Sequence, residues 1–361
     1  MDILKGLLVL GMVYCHVLQF FGAADAYPAE DMLMSFFNMV TFAGFVFVYG
    51  YLGELAYFER GLKKSWSRLL RGSGKAYLAF VISGAAFRVL REHKRFSQDT
   101  ILPILGLKDI PGWSEFLIAF ALIPLVALIL WKPIDALVSR KKLFWIVCAL
   151  WPLTGLIPYD RVGSVWLGLF IGGNQFAFFP VLQYFYLYLL GMYFRRHRVG
   201  FDWWILLGSL LISGGALIYA FTAGLPGRFP PTPLWLVLPL LPVYLYFLLS
   251  TGWAAIRIPS TGLARLLTRL RRTRWAEELP DELTLPSRIL TNLGRNSLYY
   301  LLASNLAIFV LAGNRGAPVD KAGGVLPWSL PLASPLGALV WTIVLLLGVA
   351  FLCNLPVKRR G

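Results

Sequence analysis

The sequence predicts an all-α integral membrane protein of about ten transmembrane helices with both termini cytoplasmic. Three observations carry this. Apolar residues make up 58% of the 361 and charged residues only 14%, and the mean hydropathy of +0.67 lies well outside the soluble range. Apolar runs of near-spanning length recur along the whole chain. Lys and Arg gather in every second connection, the bias that orients helices in a bilayer.

Taken in order, the candidate spans are 4–22, 34–53, 76–92, 114–131, 143–158, 177–194, 203–222, 233–254, 297–313 and 335–354. Most approach the ~20 residues that a helix needs to cross the hydrocarbon layer. The third and fifth are short, which implies tilt or partial re-entry. Val165–Gly173 is apolar but too short to cross, so a loop or re-entrant piece is expected there. Residues 257–292 form the one long cytoplasmic connection. Within it Leu263, Leu266, Leu267 and Leu270 make an apolar stripe, with Arg265, Arg269, Arg271, Arg272 and Arg274 on the other faces. That pattern predicts an amphipathic helix on the inner leaflet. Residues 1–361 thus read as a single membrane domain with this basic segment inside it.

With the N-terminus inside, 25 Lys and Arg fall on the cytoplasmic side and 9 on the outer side, as the positive-inside rule requires. The exception is Arg88, Arg91, Lys94, Arg95 and Lys108, which make a basic lip on the outer side unless a boundary shifts. The net charge of +16 follows from this topology, and nucleic-acid binding is a poor reading of charges that sit beside spans. Trp113, Trp131, Trp203, Trp204 and Trp235 near span ends fit interfacial belts. Cys15, Cys148 and Cys353 fall inside spans without metal-ligand spacing, so they read as apolar fillers, and no metal site is expected.

Lys5 and His16 are the most informative pair. Eleven residues apart, they share one helix face, because eleven steps of 100° leave an offset of about 20°. The rise between them is roughly 16 Å, about half of the hydrocarbon thickness. Lys5 alone reads as a lysine snorkelling to the inner interface. A neutral imidazole within a span can take a proton from a hydroxyl and return it to a leaving group; the bland alternative is a histidine satisfied by one inter-helix hydrogen bond. Cleavage of this first run as a signal peptide would delete the pair, but His16 and Gln19 are out of place in a signal's apolar region.

The residues around the pair resemble a known family. Asp2-Ile-Leu-Lys5-Gly6 with His16 resembles the Asp-x-x-Arg/Lys-Gly opening of the acyltransferase 3 family of multi-pass membrane acyltransferases. Phe42 to Leu52, with Tyr49-Gly50-Tyr51, is similar to that family's aromatic second span, and Ser67-Arg68-Leu-Leu-Arg71 to the Arg-x-x-Arg that follows it. Phe179-Pro180 through Leu190-Gly191-Met192 and Leu293-Gly294-Arg-Asn296-Ser297-Leu298 resemble two later segments. The chain departs from the pattern at Lys5, where arginine is commoner, at Tyr49, where serine is usual, and at Ser304, where many members carry a histidine.

The resemblance implies transfer of an acyl group, often acetyl, from cytoplasmic acyl-CoA to a carbohydrate hydroxyl of the cell envelope or of a secreted glycan, in a prokaryotic inner membrane. It implies catalytic roles for His16 and Lys5 and a donor-binding role for Arg68 and Arg71, whose guanidinium forks suit the phosphates of CoA. Two other classes compete: a transporter or flippase with His16 as a proton relay, for which paired inverted halves are expected and none is evident, and a noncatalytic component of polysaccharide assembly. Glu115, Asn305 and Asn174-Gln175 are weaker candidates for a pocket or an acceptor contact.

Overall fold

Helix follows helix along the chain because its apolar stretches must satisfy their backbone groups internally. The computed structural model describes residues 1–22, 29–176, 178–255, 285–313 and 334–354, and among them no strand is present. The principal helices are α1 (Asp2–Phe21), α2 (Ala29–Gly53), α3 (Leu62–Ala86), α4 (Gln98–Leu105), α5 (Glu115–Ile129), α6 (Trp131–Ser139), α7 (Lys141–Leu150) and α8 (Val165–Ile171). They continue with α9 (Val181–Arg196), α10 (Trp203–Ala223), α11 (Pro233–Val237), α12 (Leu240–Ala255), α13 (Leu285–Arg295), α14 (Ser297–Gly313) and α15 (Pro335–Asn354).

Every predicted span falls on one or two of these helices. Among the described residues five helices are long and apolar enough to cross a membrane, and six if α5 and α6 count as one broken span. The stretches at 76–92 and 143–158 fall on shorter or more polar helices, the sixth predicted span falls on α9 (Val181–Arg196), and α14 is apolar but short. Within the apolar stretch 165–173, Val165–Ile171 forms the seven-residue helix α8. The predicted amphipathic helix at 263–274 lies outside the described residues.

The chain divides into two compact units, residues 1–38 with 246–361 and residues 39–245. In the first, α1 is the central helix and packs against α13, α14 and α15. Its first turn carries Asp2, favourable at a helix N-terminus. Apart from the partly exposed Leu7, Leu10 and Gln19, its residues from Gly6 to Phe20 are buried. α1 and α14 run parallel: His16 meets Asn305, and one turn further Phe20 meets Phe309 at 5.9 Å between ring centres.

In the second unit, α5 and α6 meet at a bend of 83°, so α6 runs across the end of α5. The bend falls at Leu130, and Pro133 stands in the first turn of α6, where proline's fixed φ and missing N–H are tolerated. α2 and α9 run parallel, with Phe42 on Tyr184 near one end and Glu54 on Arg196 at the other. α7 runs antiparallel to α9 through Trp145 to Tyr193 and Trp151 to the Leu182 carbonyl. α10 runs antiparallel to α12.

A single π-helical turn, Glu54–Phe58, extends α2. Its wider winding, with the Glu59 N–H donating to the Glu54 carbonyl at 2.9 Å, sets two glutamates five residues apart one turn from each other. Each meets one of two successive arginines. Arg196 donates to both Glu54 carboxylate oxygens at 2.6 and 3.1 Å, to Ser139 at 2.9 Å, and pairs with Asp135 at 2.8 Å. Arg195 forks onto Glu59 at 2.8 and 3.0 Å, and that carboxylate raises the guanidinium above its ordinary pKa. Glu54 is only 2% exposed, so without Arg196 its desolvation would be uncompensated.

Two sequence expectations change here. Trp235 is buried beside Ala216 and Leu238, so it is a core residue, whereas Trp203 and Trp204 are exposed as a belt requires. The basic lip is partly neutralised from within. Arg88 forks onto Asp109 at 2.9 and 2.5 Å and contacts Glu92 at 2.5 Å, and Lys94 lies 3.5 Å from Glu92.

Candidate active site

His16 lies in the third quarter of α1 and is 5% exposed. Its Nδ1 is 2.8 Å from Asn305 Oδ1 across the α1–α14 interface. A carboxamide oxygen only accepts, so the tautomer that makes this hydrogen bond is the one with the proton on Nδ1. In the neutral imidazole this leaves the Nε2 lone pair as the basic position, which is the tautomer a general base needs. Asn305 is itself buried, so the hydrogen bond satisfies two groups that would otherwise each be costly to bury.

Asn305 was weakly marked in the sequence as an intramembrane polar residue. Nothing local tied it to His16, since 289 residues separate the two. Ser304, its neighbour, turns its hydroxyl to its own helix and donates to the carbonyls of Tyr300 and Leu301 at 2.6 and 3.1 Å.

Lys5 is on the same continuous helix as His16, roughly 16 Å nearer its start. Its ammonium pairs with Asp2 at 2.9 Å, and the second Asp2 oxygen lies 3.5 Å from Arg295 Nε on α13. Lys5 is therefore tied into a surface ion cluster at the end of α1, and the structure keeps it apart from His16.

Backbone contact holds this end together. Gly6 lies against the Leu290 carbonyl and Gly294 against the Asp2 carbonyl, each so close that a Cβ would overlap the facing backbone. Small residues permit such close crossings of apolar helices. The opening stretch Asp2–Gly6 and the late stretch around Gly294 are thus in direct contact. A second crossing of the same kind joins Gly50 of α2 to the Tyr188 carbonyl and Gly191 of α9 to the Phe47 carbonyl.

Arg68 and Arg71 lie one turn apart on α3, in the second unit, and both are exposed. Among the described residues neither makes a hydrogen bond or ion pair, and Arg68 faces the Tyr57 phenol. Two unengaged guanidinium groups on one helical turn fit an anionic ligand such as a phosphate. Of the weaker candidates, Asn174 and Gln175 are exposed. Glu115 opens α5 with one carboxylate oxygen buried and feels the opposite charge of Arg228. No family model matches the chain, and neither does any curated protein or any solved structure.

Proposed function

We propose that this chain is a membrane O-acyltransferase that moves an acyl group, acetyl in the simplest case, from cytoplasmic acyl-CoA to a hydroxyl of a cell-envelope or secreted glycan. The observation that carries the reading is the buried hydrogen bond of 2.8 Å between His16 Nδ1 and Asn305 Oδ1, which an Nδ1-protonated imidazole donates. Resemblance of the motif stretches to acyltransferase 3 proteins supplies the reaction class.

In this reading the protein has ten spans, with both termini on the cytoplasmic face of a prokaryotic inner membrane. Support comes from the coincidence of each predicted span with helix and from helix directions. α1 and α14 are odd-numbered spans and run parallel, α2 and α9 are even-numbered and run parallel, and α7 and α9 oppose one another.

Arg68 and Arg71 take the phosphates of the donor. The acceptor hydroxyl gives its proton to His16 Nε2 while its oxygen attacks the thioester carbonyl carbon. The carbon–sulfur bond then breaks, and the departing thiolate takes the proton back from the imidazolium as free CoA. Asn305 holds the ring in the required tautomer and shares the positive charge that forms on it. Lys5, tied to Asp2, fixes the start of α1.

The experiment is label transfer. Membranes carrying the protein receive acetyl-CoA labelled in the acyl group, and label is followed into envelope glycan. Transfer by the wild type and its loss in His16→Ala support the proposal; undiminished transfer in His16→Ala removes His16 from the chemistry. The hydrogen bond also favours a second reading, a polar clasp between α1 and α14 in a noncatalytic component. There His16→Ala would lower stability with no acyl transfer to lose.

A further inference from the structure

A groove of about 670 Å³ opens in the second unit between α7, the end of α9, the first half of α10 and the start of α12. Its lower wall is apolar, with Leu187, Leu190, Ile205, Ile212 and Val243. Its rim carries Lys141 and Arg198, both exposed, with Trp145 and Trp204 beside them. Trp204 is 84% exposed, as expected of an indole at the level of lipid headgroups. Further along α10, Leu210, Leu211, Ile218 and Phe221 are apolar and exposed, a face suited to hydrocarbon.

The two cations are uncommitted. Neither Lys141 nor Arg198 makes an ion pair or side-chain hydrogen bond among the described residues. The nearby carboxylate of Asp202 is engaged elsewhere, capping α10 by accepting from the N–H groups of Trp204 and Ile205 at 2.8 and 3.2 Å. His197 contacts the Val138 carbonyl through Nε2 at 2.9 Å. The rim is also built to hold its shape. The Tyr244 hydroxyl accepts from the Asp202 N–H at 2.8 Å and donates to the Gly200 carbonyl at 3.0 Å.

Arg198 itself has a φ of +50° and closes the end of α9, where the Val199 N–H bonds the Phe194 carbonyl at 2.9 Å. This is the helix-terminating position at which glycine avoids the steric cost of left-handed backbone. Backbone energetics therefore favour glycine there, and the arginine side chain is what the position gains in exchange.

We propose that this groove is a binding site for an anionic phospholipid, its phosphate held by Lys141 and Arg198 and its acyl chains on the apolar wall. The inference rests on the membrane embedding proposed above and is independent of catalysis at His16. Basic pockets between membrane helices are well suited to such headgroups.

The test uses the full chain purified in neutral detergent and titrated with dioleoylphosphatidylglycerol or dioleoylphosphatidylcholine, with bound lipid read by native mass spectrometry. The expected result is preferential retention of the anionic phosphatidylglycerol, weakened about fivefold by each of Lys141→Gln and Arg198→Gly. Arg198→Gly relieves the backbone, so its melting temperature should hold or rise while lipid binding falls. Equal retention of the two lipids, or undiminished phosphatidylglycerol binding in the double variant, overturns the proposal. So does displacement of the lipid by acetyl-CoA, which would assign the groove to a soluble phosphate ligand. Carbonate extraction of the membranes reads embedding separately, and His16→Ala should leave lipid retention unchanged.

Discussion

His16 Nδ1 and Asn305 Oδ1 stand 2.8 Å apart in the buried interface between two parallel helices, a contact that favours the imidazole tautomer with the proton on Nδ1. Replacing Asn305 with Leu removes the acceptor and leaves the Nδ1 proton buried without its partner. The variant should lose about 1–3 kcal/mol of stability and, through loss of tautomer control, transfer activity as well. Asn305→Asp keeps an acceptor and should retain more activity than Asn305→Leu. Comparing melting temperature and transfer rate for the two variants separates positioning from folding.

The glycine crossing makes a sharper stability prediction. Gly6→Ala and Gly294→Ala each drive a methyl group into facing backbone, and overpacking of this kind destabilises by about 1–3 kcal/mol or more. Gly214→Ala, in the interior of α10 with open space around it, should be neutral or gain up to ~1 kcal/mol from helix propensity. Unfolding in mixed detergent reads all three.

Glu54 and Arg196 provide a contrast between buried and exposed ion pairs. Arg196→Met leaves the Glu54 carboxylate buried without its fork and should cost about 3–5 kcal/mol, most of it recovered in Glu54→Leu/Arg196→Met. The neighbouring Glu59–Arg195 pair is more exposed, and Arg195→Met should cost no more than ~1 kcal/mol. A double-mutant cycle on each pair measures the difference.

Arg68 and Arg71 should behave as ligand groups rather than as structural ones. Because both are exposed and among the described residues neither makes a hydrogen bond or ion pair, Arg68→Gln and Arg71→Gln should shift stability by less than ~0.5 kcal/mol. If they hold donor phosphates, KM for acyl-CoA should rise in each variant while the melting temperature stays put. An unchanged KM in the double variant would take them out of the donor site.

Local pattern made the helices legible, and long-range pairing hid the site. Each apolar run predicted a helix because a chain in hydrocarbon has few other ways to satisfy its backbone. Lys5 and His16 fall on one helix as their spacing requires. The broken α5–α6 segment was less visible. Trp131-Lys132-Pro133 reads as a loop by charge, yet Pro133 is the signal that a new helix begins there. The partner of His16 and the partner of Glu54 are 289 and 142 residues away, and no periodicity encodes such pairings. The motif glycines were visible as Gly6, Gly50, Gly191 and Gly294, but their work as two backbone crossings appears only once the helices are packed.

In the proposed function His16 is the general base of acyl transfer. The most direct measurement is the rate at which label passes from acetyl-CoA to envelope glycan in membranes bearing wild type or His16→Ala at matched protein level and confirmed fold. His16→Ala should lower that rate by about 10²–10⁴-fold, the usual contribution of a positioned general base. Transfer at the wild-type rate in His16→Ala would contradict it.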